Sequence, residues 1–392
     1  MARKFDLISE LYERTCFAVT DNPVNWQSFL KTAGRNFRLR FDEQLLIYAQ
    51  RPDATAVLEI ERWNGTFGRW VNRGAKGIAV FEDADRSRQR LIHYFDISDT
   101  HESRYSRPVP IWEMRPDYEA EVIETLENTF GAVNDTTSIE NVVKESIANA
   151  VEDNIADYIS DFMSLGAGSD IEYLSADEAN ALYLELVRHS VSYMVMARLG
   201  LDADKVYSPD DFAGISSFNS QEVLNAVGIA TSDIAEMALL PVSRTISTLS
   251  KENRIIDERG NPNTIKTSKT KGVKAMSEIT YTMVGDYNLP NLKLPEQTEV
   301  TLGRWSQMRR TYLKEHHKIL YYNLLTKGIL NSHLAEVQQR ASELEETLVK
   351  QMAQKAGLTE QMKAEDMMKW VRLMNNIRNS AQEIVKNQVI FA

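Results

Sequence analysis

Apolar residues recur at helical intervals along most of this chain, and the pattern divides it into regions of different character. In the first region Phe5, Ile8, Leu11 and Tyr12 share one face, as do Trp26, Phe29, Leu30 and Ala33. Phe41, Leu45, Leu46 and Tyr48 do the same, which predicts a third short helix that stops before Arg51-Pro52. The period then shortens. Apolar runs at Gly77–Phe81 and Leu91–Ile97, separated by a polar stretch, predict a β-hairpin with a long loop. From Asp117 the pattern is helical and acidic. Val122, Ile123, Leu126 and Phe130 make one face, and Thr137 with Glu140 reads as a capping box opening a helix through Val143, Ile147, Val151, Ile155, Tyr158 and Phe162. Ser175 with Glu178 caps another helix that ends at Gly200, and further starts occur at Ser208-Pro209 and Asn219.

Periodicity fails over 251–275, which is polar and mostly basic and reads as a flexible linker. Beyond it Ile279, Tyr281 and Met283 alternate as a strand. Trp305, Met308, Tyr312 and Ile319 then open a helical series, and two long stripes, Leu334 to Met352 and Trp370 to Gln388, predict a helical hairpin with coiled-coil-like spacing. The expected architecture is an α+β N-terminal domain with a β-hairpin over 1–116 and an all-α domain over 117–250. A basic linker comes next over 251–275, then a mainly α module over 276–392.

Composition narrows the function classes. A length of 392 residues is too much for one ordinary core, and 43% hydrophobic content is globular. The net charge of -11 argues against a protein that coats duplex DNA over its whole surface, but allows one local basic groove. Cys16 is the single cysteine, so no disulfide framework and no cysteine-built zinc site is expected, and the compartment reads as reducing and cytoplasmic. The Met1-Ala-Arg-Lys-Phe-Asp start leads into an acidic amphipathic segment, so no signal peptide is expected. No apolar run approaches the roughly 18–20 residues of a membrane span, so no membrane partner is expected either.

Candidate chemistry is sparse. None of the six histidines sits in a zinc motif; Glu185 and His189, four apart on a helix, read as a local polar pair, and His316-His317 as part of a solvated basic face. There is no nucleophile elbow, phosphate loop or paired-carboxylate motif. We therefore expect no catalysis, no metal and no cofactor. Two stretches have the composition of a nucleic-acid site. In the first, Tyr48, Trp63, Trp70 and Phe95 offer stacking faces, and Arg38, Arg40, Arg69, Arg73 and Lys76 offer cations. The Gly74–Gly77 turn there is expected to aim backbone N–H groups at a phosphate. The second is a basic helix carrying Arg304, Arg309, Arg310 and Lys314 around Trp305 and Tyr312.

Two family resemblances give these stretches a context. Residues from about Trp26 to Thr100 resemble the N-terminal domain of ArdC-type antirestriction proteins. The resemblance rests on W-x-x-F-L at Trp26–Leu30, Q-L-L-I-Y-A-Q-R-P-x-A-T at Gln44–Thr55, G-R-W-V-N-R-G-A-K-G-I at Gly68–Ile78 and F-D-I-S-D-T at Phe95–Thr100. It implies single-stranded DNA binding. The helical region to about Leu249, with A-V-E-D-N-I-A-D-Y and T-S-D-I-A-E-M, is similar to the segment C-terminal to that domain in large helicase-like proteins of conjugative elements. The histidine-glutamate zinc motif of the ArdC peptidase domain has no counterpart; Leu186–Ala197 reads L-V-R-H-S-V-S-Y-M-V-M-A. Residues Met276 to Ala392 resemble a transposon-encoded protein of the TnpV type, through I-T-Y-T-M-V-G-D-Y, Y-L-K-E-H, M-K-A-E-D-M-M-K-W-V-R-L-M-N-N-I-R and E-I-V-K-N-Q-V-I-F-A. The resemblances imply a non-enzymatic mobile-element accessory protein that binds single-stranded DNA and protects it from host restriction. The alternatives are an inhibitor that meets a host defence nuclease through its acidic helical surface, and an assembly module that forms homo-oligomers through its C-terminal helices.

Overall fold

The computed structural model describes residues 7–83, 88–165, 169–257, 279–295 and 302–392. The chain forms two compact units, Met1–Glu82 with Arg90–Pro295, and Asp83–Gln89 with Glu296–Ala392.

The first unit opens with α1 (Ile8–Thr20), α2 (Pro23–Arg35) and α3 (Phe41–Gln50). Asn22 caps α2 by accepting from Val24 N, and Pro23 occupies the first turn, where a missing N–H costs nothing. Next come β1 (Val57–Glu59), α4 (Ile60–Phe67), β2 (Arg69–Val71), β3 (Ile78–Phe81), β4 (Leu91–Asp96) and β5 (Thr100–Glu102). The expected hairpin is β3–β4, antiparallel with Ile78 opposite Tyr94 and Phe81 opposite Leu91, and β1 adds to its other side in the order β1-β4-β3. All four β3 residues are buried, because α3 packs on this sheet.

Helices α5 (Glu119–Phe130), α6 (Ile139–Asn154), α7 (Ala156–Met163), α8 (Ala176–Leu199), α9 (Ala203–Val206) and α10 (Gln221–Asp257) complete the helical part. The Ser175–Glu178 capping box forms, and Gly200 at φ 74° closes α8. The cap of α6 lies one residue later than expected. Ser138, not Thr137, accepts from Asn141 N, while Thr137 is drawn to Asp135. The helix expected through Phe162 is also divided at Ile155 into α6 and α7.

The expected 1–116 and 117–250 domains share one core, because α2 lies against α8 and α10 against α1, α3, α5 and α8. Polar bonds tie this core across long sequence separations. Trp26 Nε1 donates to Ser190 Oγ at 2.9 Å, Tyr12 Oη to Asn225 Oδ1 at 2.6 Å, and Ser232 Oγ to Gln44 Oε1 at 2.8 Å. Helix α10 has the length and apolarity of a membrane span over Gln221–Lys251, yet 78% of its most apolar window is buried inside the protein. It is the central core helix. It also runs to Asp257, so the expected linker begins as helix, and 258–275 lies outside the described residues.

The first unit also takes in the hairpin β6 (Tyr281–Val284) and β7 (Tyr287–Pro290), which the sequence reading places in a separate C-terminal module. The reason is backbone pairing. Gly74 N donates to Asp286 O at 2.7 Å, Gly77 N to Asn288 O at 2.8 Å, and Asn288 N to Ala75 O at 2.9 Å.

The second unit holds α11 (Arg304–His316), α12 (Lys318–Thr326), α13 (Leu330–Lys355), α14 (Glu360–Glu365) and α15 (Met367–Val385), with a closing π turn at Lys386–Ile390. Helices α13 and α15 form the expected helical hairpin. Its core gathers Trp305, Val337, Ala341, Val385, Val389 and Ile390. Gln338 Oε1 caps α11 from outside, accepting from Trp305 N at 2.9 Å and Ser306 N at 3.1 Å.

Candidate nucleic-acid interface

Trp63 and Trp70 lie close in sequence and have opposite environments. Ile60, Trp63 and Phe67 are spaced along one face of α4, which turns Trp63 fully into the core and leaves Ile60 and Phe67 partly buried. Trp63 is 0% exposed, packs with Val71, Ala75 and Phe95, and donates from Nε1 to the Phe95 carbonyl at 2.8 Å. Tyr48 is buried against Phe29, ring centroids 5.8 Å apart, and Phe95 against Tyr287 at 5.3 Å. Three of the four expected stacking faces are therefore core. Trp70 is the fourth. In β2 the alternation turns Val71 inward and Trp70 outward, leaving it 51% exposed opposite His101 of β5. Sequence reasoning passed over Tyr105. It is 77% exposed, with the Arg104 guanidinium 5.7 Å from its ring, in a turn whose Ser103 and Ser106 hydroxyls donate to the Gly68 carbonyl. The only signal for it was the cation–aromatic spacing R-Y-S-R at 104–107, outside any strand pattern.

The cations divide in the same way. Arg73 is open to solvent, 83% exposed and 3.4 Å from Asp286, and the Lys76 ammonium lies 5.0 Å from the Tyr281 ring centre. Arg69 is mostly buried and bonds the Thr100 hydroxyl and the Glu102 carboxylate. Arg38 is exposed and donates to Ser243 Oγ at 3.2 Å. Arg40 is structural. It bonds Asp42 and the Phe81 carbonyl and lies 3.5 Å from Glu43. Glu43 also accepts from Tyr94 Oη at 2.8 Å, and burial raises its carboxyl despite Arg40. The glycine turn corrects one expectation. Gly74 adopts φ +81°, as a tight turn requires, but the N–H groups of Gly74 and Gly77 are both consumed by the β6–β7 hairpin. They do not point at a ligand.

In the second expected site Arg309 and Arg310 are internal. Arg309 is buried and donates from Nη1 to the carbonyls of Ile390 at 2.6 Å and Ala392 at 2.7 Å. Arg310 is buried, bonds Tyr321 Oη at 3.3 Å and lies 3.5 Å from Asp83, while Lys314 Nζ is 2.9 Å from the same carboxylate. Arg304 and Lys314 stay at the surface, Arg304 over Trp305 and bonded to Gln382. Among the described residues no cluster of three His, Cys, Asp or Glu is placed to hold a metal. His189 Nδ1 sits 3.0 Å from the Asp211 carbonyl, and Cys16 is buried, its thiol pushed up by burial.

The exposed candidates that remain in and next to the β2–β5 ribbon are Trp70, Arg73, Lys76, Arg104 and Tyr105. Aromatic platforms beside cations at the edge of a small ribbon can stack unpaired bases and neutralise phosphates, which suits a flexible single strand better than a duplex. Comparison with known proteins bears on the other end of the chain. No curated protein and no solved structure matches this one. Residues 280–390 match the family of the transposon-encoded protein TnpV.

Proposed function

We propose that the protein is a non-enzymatic accessory factor of a mobile element that binds single-stranded DNA through the β2–β5 ribbon and protects it from host nucleases. The observation that carries this reading is the exposure of two aromatics, Trp70 in the ribbon and Tyr105 next to it under the Arg104 guanidinium, together with the open Arg73. The ArdC-type resemblance of Trp26–Thr100 supports it, and the TnpV match supports the transposon setting. Circular single-stranded DNA, which offers no ends, is the probe. Trp70→Ala is expected to weaken binding by about 1–3 kcal/mol without changing the melting temperature, because the indole stacks bases and packs little protein. Arg73→Glu is expected to lower the salt dependence as well as the affinity. No mobility shift at low salt sinks the proposal.

A second reading rests on the acidic helical surface, where Tyr173 is 86% exposed beside Glu172 and Asp177. Such a surface suits the basic cleft of a host nuclease. Nuclease inhibition that survives Trp70→Ala but is lost on Tyr173→Ala favours it.

A further inference from the structure

The first unit contains a pocket of about 530 Å³ whose lining includes Arg35, Arg38, Arg62 and Arg198 and no carboxylate. That is unusual in a chain of net charge -11. None of these arginines belongs to the Trp70 ribbon. Two of them are held in place by their surroundings. Arg35 donates from Nε to the Ala54 carbonyl at 2.8 Å and from Nη2 to the Pro52 carbonyl at 2.6 Å. The Arg198 guanidinium lies 3.5 Å from the Trp112 ring centre and donates from Nη2 to the Trp112 carbonyl at 3.0 Å. Its Nε is buried and has no hydrogen-bond partner among the described residues. Arg38 and Arg62 stand exposed at the rim. Burial draws Arg198 down to about 10, and Arg38 and Arg35 add to the shift against the opposing Glu113. Arg35 and Arg38 add like charge at Arg198, Asp53 and Asp96 offset part of it at Arg35, and an entering anion relieves what remains.

The rest of the lining identifies the anion. Planar guanidinium groups bind phosphate oxygens in pairs. The pocket is far larger than a bare phosphate needs and falls in the range of small-molecule sites. Its remaining wall is mostly apolar, with Leu58, Phe67, Val109 and Ile111, alongside the polar Asn36, Thr55 and Thr66. We propose that this pocket binds a nucleoside 5′-monophosphate group, phosphate against the arginines and base against the apolar wall. The group comes either from a free nucleotide or from the 5′ end of a DNA strand, and only the second source rests on the single-strand reading above.

Calorimetric titration of the full chain tests it with deoxyadenosine 5′-monophosphate, deoxyadenosine and inorganic phosphate. The monophosphate is expected to bind about tenfold or more tightly than either part alone, since only it engages both walls. Arg38→Glu with Arg62→Glu, both at the exposed rim, is expected to weaken it about tenfold with the melting temperature unchanged. Equal binding of the nucleoside or of inorganic phosphate, no binding of the monophosphate, or an unaffected double substitution each overturns the proposal. Paired oligonucleotides settle the source. A preference for a 5′-phosphorylated over a 5′-hydroxyl strand that disappears in the double substitution assigns a DNA end, and equal binding assigns the free nucleotide. Failure to bind circular DNA overturns the ribbon reading alone, because circular DNA carries no terminal phosphate.

Discussion

At Gly228 helix α10 passes so close to Phe41 that an added Cβ would lie 2.1 Å from the ring's Cε2 atom. Glycine inside a helix costs about 1 kcal/mol relative to alanine, so propensity alone predicts that Gly228→Ala stabilises. Overpacking a core costs about 1–3 kcal/mol, and here the ring is enclosed by Phe29 and α10, which leaves it little room to retreat. The steric term is larger. Gly228→Ala is therefore expected to lower stability by about 1–2 kcal/mol, read as a lower urea midpoint with unchanged slope. A raised midpoint means that Phe41 repacks and that glycine was never needed. This contact was not legible, because nothing in the chain links Phe41 to a glycine in a distant helix. The fates of Trp63 and Trp70 were legible in part. Reading Ile60, Trp63 and Phe67 with a helical period puts Trp63 inside, and reading Arg69-Trp70-Val71 with a strand period puts Trp70 outside. Treating the whole stretch as one composition blurred the two.

Helices were the most readable elements, since a stripe such as Leu334, Val337 and Ala341 has one sensible way to be buried. What a stripe does not tell is which polar residues accompany it inward. On α11 the buried set is Trp305, Ser306, Arg309, Arg310 and Leu313, so the arginines share the face that meets the core. Composition marks that helix as basic and exposed. The structure instead gives Arg309 the carbonyls of Ile390 and Ala392, which come from the far end of the unit and have no local signature. Arg309→Gln is expected to destabilise the protein by about 2–3 kcal/mol, since a charged donor is lost and the buried Ile390 carbonyl goes unpaired. Binding of circular single-stranded DNA is expected to stay unchanged. A clear loss of DNA affinity in a variant that still melts normally restores α11 as a nucleic-acid helix.

Across the whole molecule, the joint in the chain and the joint in the structure fall at different places. Family similarity begins at residue 280, whereas the compact units divide after Pro295. The segment in between is the β6–β7 hairpin, and the first unit is built to receive it. Asn288 Nδ2 donates to the Gly74 carbonyl at 2.7 Å, Tyr287 packs on Phe95, and a Cβ at Gly77 would lie 2.9 Å from Leu289 Cδ2. A proximity of this kind is invisible to periodicity, because a short alternating strand states that it needs a partner without naming one. The consequence can be measured on two fragments. The fragment 1–295 retains the hairpin and 1–275 lacks it. Deleting it strips three backbone hydrogen bonds from the Gly74–Gly77 turn and exposes the apolar surface under Tyr287 and Leu289. The shorter fragment is expected to be less stable by about 2–4 kcal/mol and to protect the amides of Gly74 and Gly77 less well from hydrogen exchange. Equal denaturation midpoints with equal protection at those two amides make the hairpin a passenger and return the boundary to residue 276. Unequal protection makes the transposon-type segment a structural part of the unit that carries Trp70.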